Sequence, residues 1–233
     1  MARRPVFLPD PEGASQVRTC HVDFQWHAGL SVLQKQKSIS ALHNAARAAL
    51  GVERTLEISS KSADRLGVAL SAFNLTFKVP QLPRTISVEC AFQGSKVFEK
   101  GGPYIDIFLL RSRDAKRDER LISSGRLQKF RFLDQNWALE PRTAFYDWLY
   151  ISALMARPDL AAQLDAYDAF TDIEFNPEKS INCQAYSVAL YESLRRSRRL
   201  EEAFATPDAF LQVLSTRKIM NAIQDDTAQG RLF

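Results

Sequence analysis

The sequence predicts a mainly α-helical fold with a few short strands, in a single domain. Three observations carry that expectation. Segments that read as helices dominate, the longest running from Gly29 to Leu50, Pro141 to Ala156 and Ile181 to Arg196. Alternating stretches are few and short, as in Asn74 to Val79. The 233 residues are 45% hydrophobic and 25% charged, ordinary values for a globular chain and enough to bury a real core.

In chain order, residues 1–19 are rich in Pro, Arg and Gly and read as an N-terminal arm or loop. Cys20 to Trp26 reads as a strand. The helix from Gly29 has Leu33, Leu42 and Ala46 among its apolar positions and Gly51 as its stop. Thr55 to Ser59 suits a short strand, Asp64 to Phe73 is mixed, and Asn74 to Val79 is a strand ended by Pro80 and Pro83. A short helix is expected over 87–98, broken by Gly101-Gly-Pro103. Ile105 to Leu110 is an apolar run, and 113–123 a basic helix ending near Gly125. Lys129 to Leu133 fits a strand or a helical turn. Pro141 suits the first turn of the next helix, with Phe145, Trp148, Leu149 and Ser152 on its inner face. Pro158 opens another short helix toward Tyr167. Residues 168–180 read as loop, and Ser180 as the N-cap of the helix that follows. Helical segments continue through 206–222. The expected domain spans 20–222, with 223–233 as a flexible tail.

The net charge is +4 and the pI near 9.0, a mild bias toward anionic partners. The basic residues cluster. Arg111, Arg113, Lys116, Arg117, Arg120, Arg126, Lys129 and Arg131 form one group, with Asp114, Asp118 and Glu119 as balancing charges; Arg195, Arg196, Arg198 and Arg199 form another. Either would suit a phosphate-bearing substrate; the blander reading is a solvated helix face. Cys20, Cys90 and Cys183 are odd in number and widely spaced, so neither a disulfide framework nor a zinc site is expected. His21, His27 and His43 have no metal-ligand spacing, and no cofactor is expected. The first residues lack the apolar core of a signal peptide, and Ala144 to Ala156 contains Asp147 and is too short to span a bilayer. A cytoplasmic protein with no membrane partner is expected.

The most informative segment is Ser87-Val-Glu-Cys-Ala-Phe-Gln-Gly-Ser-Lys-Val-Phe98. On a helix, Glu89, Gln93 and Lys96 fall at i, i+4 and i+7 and share one face. By spacing alone this is a solvated row with an apolar back. The segment also resembles the signature of the NADAR family, in which a Ser-Val-Glu opening leads to a Phe-Gln pair and then a Lys. Leu70-Ser-Ala-Phe-Asn74, Ala115-Lys-Arg117, Asn136-Trp137, Phe170-Thr-Asp-Ile-Glu-Phe-Asn176 and Ile181-Asn182 are similar to later and earlier family elements, in the family's order. The N-terminal stretch from Phe24 to His43 resembles the antitoxin branch associated with DarT-type DNA ADP-ribosyltransferases. Asn74, Ala72 and Phe175 depart from the family's Tyr, Asn and Trp.

The resemblance implies an N-glycosidase with a mostly helical fold. Such a bond breaks through an oxocarbenium-like state, which carboxylates stabilise and assist. Glu89 matches the family's catalytic Glu, and Asp172 its late Asp, with Glu174 competing for that role. The plain alternative for Asp172 and Glu174 is turn capping. A lysine of lowered pKa could attack the anomeric carbon and form a Schiff base after ring opening. Lys35, Lys37, Lys61 and Lys96 are candidates, with Lys37 ranked first. Trp137 would stack on a base, although a lone Trp is more often core. Phe73, Asn74, Gln93, Lys96, Phe175 and Asn182 complete the expected substrate site.

The implied activity is release of ADP-ribose from guanine in DNA, with RNA left open as substrate. The implied partner is a DarT-type toxin. Two alternatives stand beside it. One is an N-glycosidase of a riboflavin-pathway ribosyl-aminouracil phosphate. The other is a non-catalytic module that binds ADP-ribose or the toxin.

Overall fold

The computed structural model describes residues 1–13, 16–178 and 180–215. Helical residues make up 43% of these and strands 18%, so the fold is mixed α/β rather than mainly α. The expected tail at 223–233 lies outside the described residues.

The difference begins at the N-terminus. Residues 2–9, expected as part of an arm or loop, are strand β1 (Ala2–Pro9), which pairs along its whole length with antiparallel β2 (Val17–Phe24). Pro5 and Pro9 and the arginines disguise the strand in sequence. Helix α1 (Val32–Leu50) is capped by Ser31, whose side chain accepts from the Gln34 amide. Gly51 closes it in the left-handed region at φ 70°, a conformation glycine adopts without a Cβ penalty. Strand β3 (Thr55–Glu57) lies parallel to a later strand, β9 (Ala169–Thr171), inside the segment expected as loop. The four strands order as β2-β1-β9-β3.

Alternation along these strands builds a layered arrangement. Val6 and Leu8 of β1 point into one apolar cluster with Ile39, Leu42 and Ala46 of α1. Phe7 and Phe170 point into the other, larger core, where the Phe7 ring meets Tyr186 edge-on at 5.7 Å. Tyr186 belongs to α8 (Gln184–Arg196), which packs on β1 and β9.

Between β3 and β9 the chain builds the helical side. Short α2 (Arg65–Ala69) is followed by a two-stranded ribbon, β4 (Thr76–Phe77) and β5 (Ile86–Ser87). Helix α3 (Val88–Gly94) ends earlier than the sequence suggests, and β6 (Lys96–Phe98) follows at once. A Cβ on Gly94 would sit 2.5 Å from the Phe108 ring, so glycine is required there. The expected basic helix is two separate turns, α4 (Ser112–Ala115) and α5 (Arg120–Ser123). Strands β7 (Leu127–Phe132) and β8 (Gln135–Trp137) complete a meander with β6. Helix α6 (Ala144–Met155) packs on α3 and α8, and α7 (Pro158–Ala161) leads through a 3-10 turn to β9. After α8 come α9 (Leu200–Ala203) and α10 (Pro207–Ser215).

One acid lies wholly inside this packing. Asp147 of α6 is buried and accepts a 2.6 Å hydrogen bond from Ser187 Oγ of α8. Burial pushes its carboxyl up to about 7, against the opposing hydrogen bonds from Ser187 and Thr143. The native protein therefore holds this proton more tightly than the unfolded chain. The contribution to stability is full below the ordinary carboxyl value and is lost as the pH rises through about 7. Asp147→Asn keeps an acceptor for Ser187 and carries no charge. It is expected to melt above the wild type at pH 8, with the gap closing toward pH 4 in thermal melts across that range. A constant gap would show that Asp147 does not titrate differently in the two states.

Candidate functional site

A cavity of about 1000 Å³ opens between the sheet side and the helical side, at the upper end of the range for small-molecule sites. Its floor is α3. The free N–H groups at the start of this helix are answered from outside: Val88 donates to the Leu75 carbonyl, Glu89 to the Ala72 carbonyl, and Cys90 to Ser87 Oγ. Glu89 thus stands in the first helical turn, where the helix dipole favours a carboxylate. Every residue of α3 is buried, Glu89 and Gln93 included. Gln93 Nε2 donates to Glu89 Oε1 at 2.9 Å, so the polar row is a pinned pair and not a solvated face.

That bond orients the Gln93 amide. Its Oε1 is buried and makes no hydrogen bond among the described residues, as do Ser71 Oγ and Asn182 Oδ1, both from residues that line the same cavity. Buried polar atoms left so cost about 1–3 kcal/mol each, and a polar ligand that met them would recover it.

Lys96 also lines the cavity, but from β6, where it pairs with Phe130, and not from α3. Its ammonium lies 5.1 Å from the Phe92 ring centroid. Burial lowers its pKa to about 8; the Glu89 charge opposes the fall and Lys116 adds to it. Phe92 itself is held among Phe130, Phe145 and Tyr146, with centroids 5.2 to 6.1 Å away.

Asp172 comes from the opposite wall, directly after β9. Its Oδ1 accepts from the amides of Glu174 at 3.0 Å and Phe175 at 3.2 Å, so it does cap a turn while lining the cavity. Burial raises its pKa, and the neighbouring Glu57 charge raises it further. Burial raises the Glu57 pKa as well, so the two acids together favour holding a proton at this wall. Phe175 and Asn182 line the same wall, and Phe73 and Asn74 the far rim.

Three cations stand at the mouth: Arg113 of α4, and Lys116 and Arg117 just after it. Ser112 Oγ donates to the Phe73 carbonyl at 2.8 Å and lies 2.8 Å from Ser87 Oγ, which anchors α4 to the start of α3. Lys116 then lies over the Phe73 ring at 5.5 Å. The neighbouring Arg120 is already engaged by Asp106 and Asp118. In the second basic cluster Arg195 and Arg196 both pair with buried Glu192, and Arg199 with Glu202.

Two expected site residues are not brought here. Trp137 is 3% exposed and packs on Phe145 and Trp148 in the core, so it is no base-stacking platform. Lys37 is exposed and outside the cavity lining, because the α1 face carrying Ile39, Leu42 and Ala46 packs on the sheet and turns Lys37 outward. Lys35 pairs with Glu174 at 2.9 Å, while Lys61 lines the rim. Sequence reasoning missed Gln184, whose Oε1 accepts from the Ala72 amide at 2.7 Å while its Nε2 donates to the Ile58 carbonyl at 2.6 Å. An amide in the first turn of a helix, two residues after a motif Asn, was the available signal. It also missed Glu57 and Tyr146. Among the described residues no group of His, Cys, Asp and Glu is placed to hold a metal ion, and no helix is long and apolar enough to cross a membrane.

Acids from two walls, a buried lysine and a cationic mouth on a mixed α/β frame define a pocket suited to glycosidic chemistry on an anionic ligand. The chain belongs to the NADAR family: the model of the DarT1-associated NADAR antitoxins matches residues 2–224. Members of this family are typically N-glycosidase-like hydrolases. No curated protein matches the chain.

The Lys96 environment is directly measurable. Glu89→Gln removes a charge that favours the ammonium, so the Lys96 pKa should fall further below about 8. Lys116→Gln removes a repelling charge and should raise it. A lysine NMR titration of each variant reads both signs; equal values in all three proteins would count against this electrostatic triad.

Proposed function

We propose that this protein hydrolyses the N-glycosidic bond between ADP-ribose and guanine in DNA, and that it does so as an antitoxin to a DarT-type DNA ADP-ribosyltransferase. The observation that carries this reading is the Glu89–Gln93 pair on the floor of a cavity whose mouth is lined by Arg113, Lys116 and Arg117. The bond to Gln93 restricts the Glu89 carboxylate beneath the ligand space. There it stabilises positive charge developing on the ribose and takes a proton from the attacking water. Asp172 supplies a proton to the departing base from the other wall. The cationic mouth suits the diphosphate and the phosphates of the strand. Lys96, in place of Lys37, is the lysine that fits a covalent route, because it combines burial with a lowered pKa. On that route the Lys96 amine replaces water as the nucleophile, the base leaves with the proton from Asp172, and ring opening gives a Schiff base that water later hydrolyses; borohydride added during turnover would fix it to the peptide carrying Lys96, whereas direct attack by water would leave nothing to trap.

The test is an oligonucleotide carrying guanine-linked ADP-ribose, followed by mass. The wild type is expected to restore the unmodified mass and release free ADP-ribose. Glu89→Gln should fold normally and lose about a thousandfold in rate. A fully active Glu89→Gln would overturn the assignment. Cleavage of a ribosyl-aminouracil phosphate with modified DNA left intact would instead show the riboflavin-type activity. Tight binding of the modified strand with no release would show a binding module.

Replacing both Lys116 and Arg117 by Gln should weaken strand binding and reduce the slope of log affinity against log salt by about two. A salt slope equal to the wild type's would place the strand elsewhere.

A further inference from the structure

Glu57 is a fully buried acid outside the chemistry described above, and nothing in the sequence singles it out. It ends β3, in parallel register with Thr171 of β9. Its two carboxylate oxygens are used separately. Oε2 accepts from Thr171 Oγ1 at 2.7 Å, and Oε1 accepts from the Ile173 amide at 2.8 Å. These donors lie immediately before and after Asp172. The chain is held a third time by the Ile58 amide, which donates to the Thr171 carbonyl at 2.7 Å.

The Thr171 hydroxyl has a second neighbour. His43 Nε2 of α1 lies 2.9 Å from Thr171 Oγ1. Burial, with Arg47 adding to it, lowers the His43 pKa to about 4, so the ring is neutral at physiological pH. Burial raises the Glu57 pKa against its hydrogen bonds. With Glu57 ionised, the single Thr171 proton goes to it, and a neutral His43 presents its Nε2–H to the hydroxyl oxygen. In that state the chain runs from His43 to Thr171 to Glu57. Strand β9 is short, and Asp172 follows it directly, so β-sheet hydrogen bonding alone does not fix where that side chain points.

We propose that Glu57 is a positioning residue for Asp172: its carboxylate clamps the residues on either side and, with His43 behind Thr171, sets where the Asp172 carboxyl enters the cavity. The inference rests on the glycohydrolase reading for its kinetic consequence, but not for its geometry. A buried carboxylate is expensive, and an apolar residue would serve packing alone at less cost. What the carboxylate adds is two acceptors at fixed separation, matched to donors two residues apart in the chain.

Glu57→Gln preserves shape but has one acceptor where two donors need them. Thr171→Val removes the hydroxyl from the clamp while leaving Glu57 in place, and Thr171→Ser restores it. For Glu57→Gln and Thr171→Val, kcat on the modified oligonucleotide should fall about a hundredfold, as for a small misplacement of a reacting group, with KM within about twofold of wild type. Thr171→Ser should recover most of the rate. Crystals of Glu57→Gln should show the Asp172 carboxylate displaced from the Glu174 and Phe175 amides. Wild-type kcat in both impaired variants would overturn the clamp, as would an unmoved Asp172 in those crystals. Failure of the wild type to release ADP-ribose would refute the glycohydrolase reading, and the position of Asp172 in Glu57→Gln would still decide the clamp.

Discussion

A helix buried on every side can keep a carboxylate only if its surroundings answer it, and α3 is that helix. Gln93 answers Glu89 from one turn along. The N–H groups at its start are answered by carbonyls of the preceding loop, and the Ser87 and Ser112 hydroxyls tie that end to α4. The apolar sides are enclosed by Phe130, Phe145 and Tyr146 around Phe92, and by Phe108 against Gly94. The ribbon, the meander and α6 take their places around this helix. Enclosure by aromatic rings keeps water from competing for Glu89 except through the cavity, and a low local dielectric strengthens every polar contact made there.

The buried acids are handled in distinct ways, and the difference separates structure from chemistry. Asp147 has hydroxyl partners, and the proton it retains is its means of staying inside the core. Glu57 is surrounded by donors on both oxygens. Asp172 uses Oδ1 for its turn, has a hydrogen bond from Gln184 as well, and lines the cavity. Glu89 has the Gln93 amide and the Lys96 charge beside it. Of these acids, Glu89 and Asp172 reach the cavity, and they come from opposite walls.

Much of the site was legible in the sequence, though not always for the right reason. The Ser cap and the spacing of Glu89 and Gln93 do describe a helix face, but sequence cannot say that this face is buried. By spacing, Lys96 is the next step along that face. It reaches the cavity from a strand instead, because the helix stops at Gly94 and the chain turns to pair with β7. Strand β1 was hidden because Pro5 and Pro9 argue against a paired strand. It tolerates them because its ladder to β9 is a single pair at Phe7 and Phe170. Trp137 and Lys37 show the limit of motif order: each lies in a plausible place along the chain, and burial of one and exposure of the other decide their roles. Glu57 was illegible because its meaning lies in parallel pairing with a strand more than a hundred residues away.

The same long-range pairing explains how two walls can form one site. Glu89 is fixed by the helical side and Asp172 by the sheet side, so their relation depends on what joins the sides and not on either alone. Helix α8 supplies that joint. The Gln184 amide donates to Ile58, just past β3, and accepts from Ala72, whose own carbonyl receives the Glu89 amide. One side chain therefore connects the strand that carries the Asp172 clamp to the backbone that starts the Glu89 helix. Its two ends have opposite hydrogen-bonding character, which makes the orientation unique and the separation of the walls as short and as stiff as an amide. A carboxylate there would lose the donor and an apolar side chain would lose both. The spacing across the cavity is in this sense a property of Gln184, which lines the cavity itself and holds both sides.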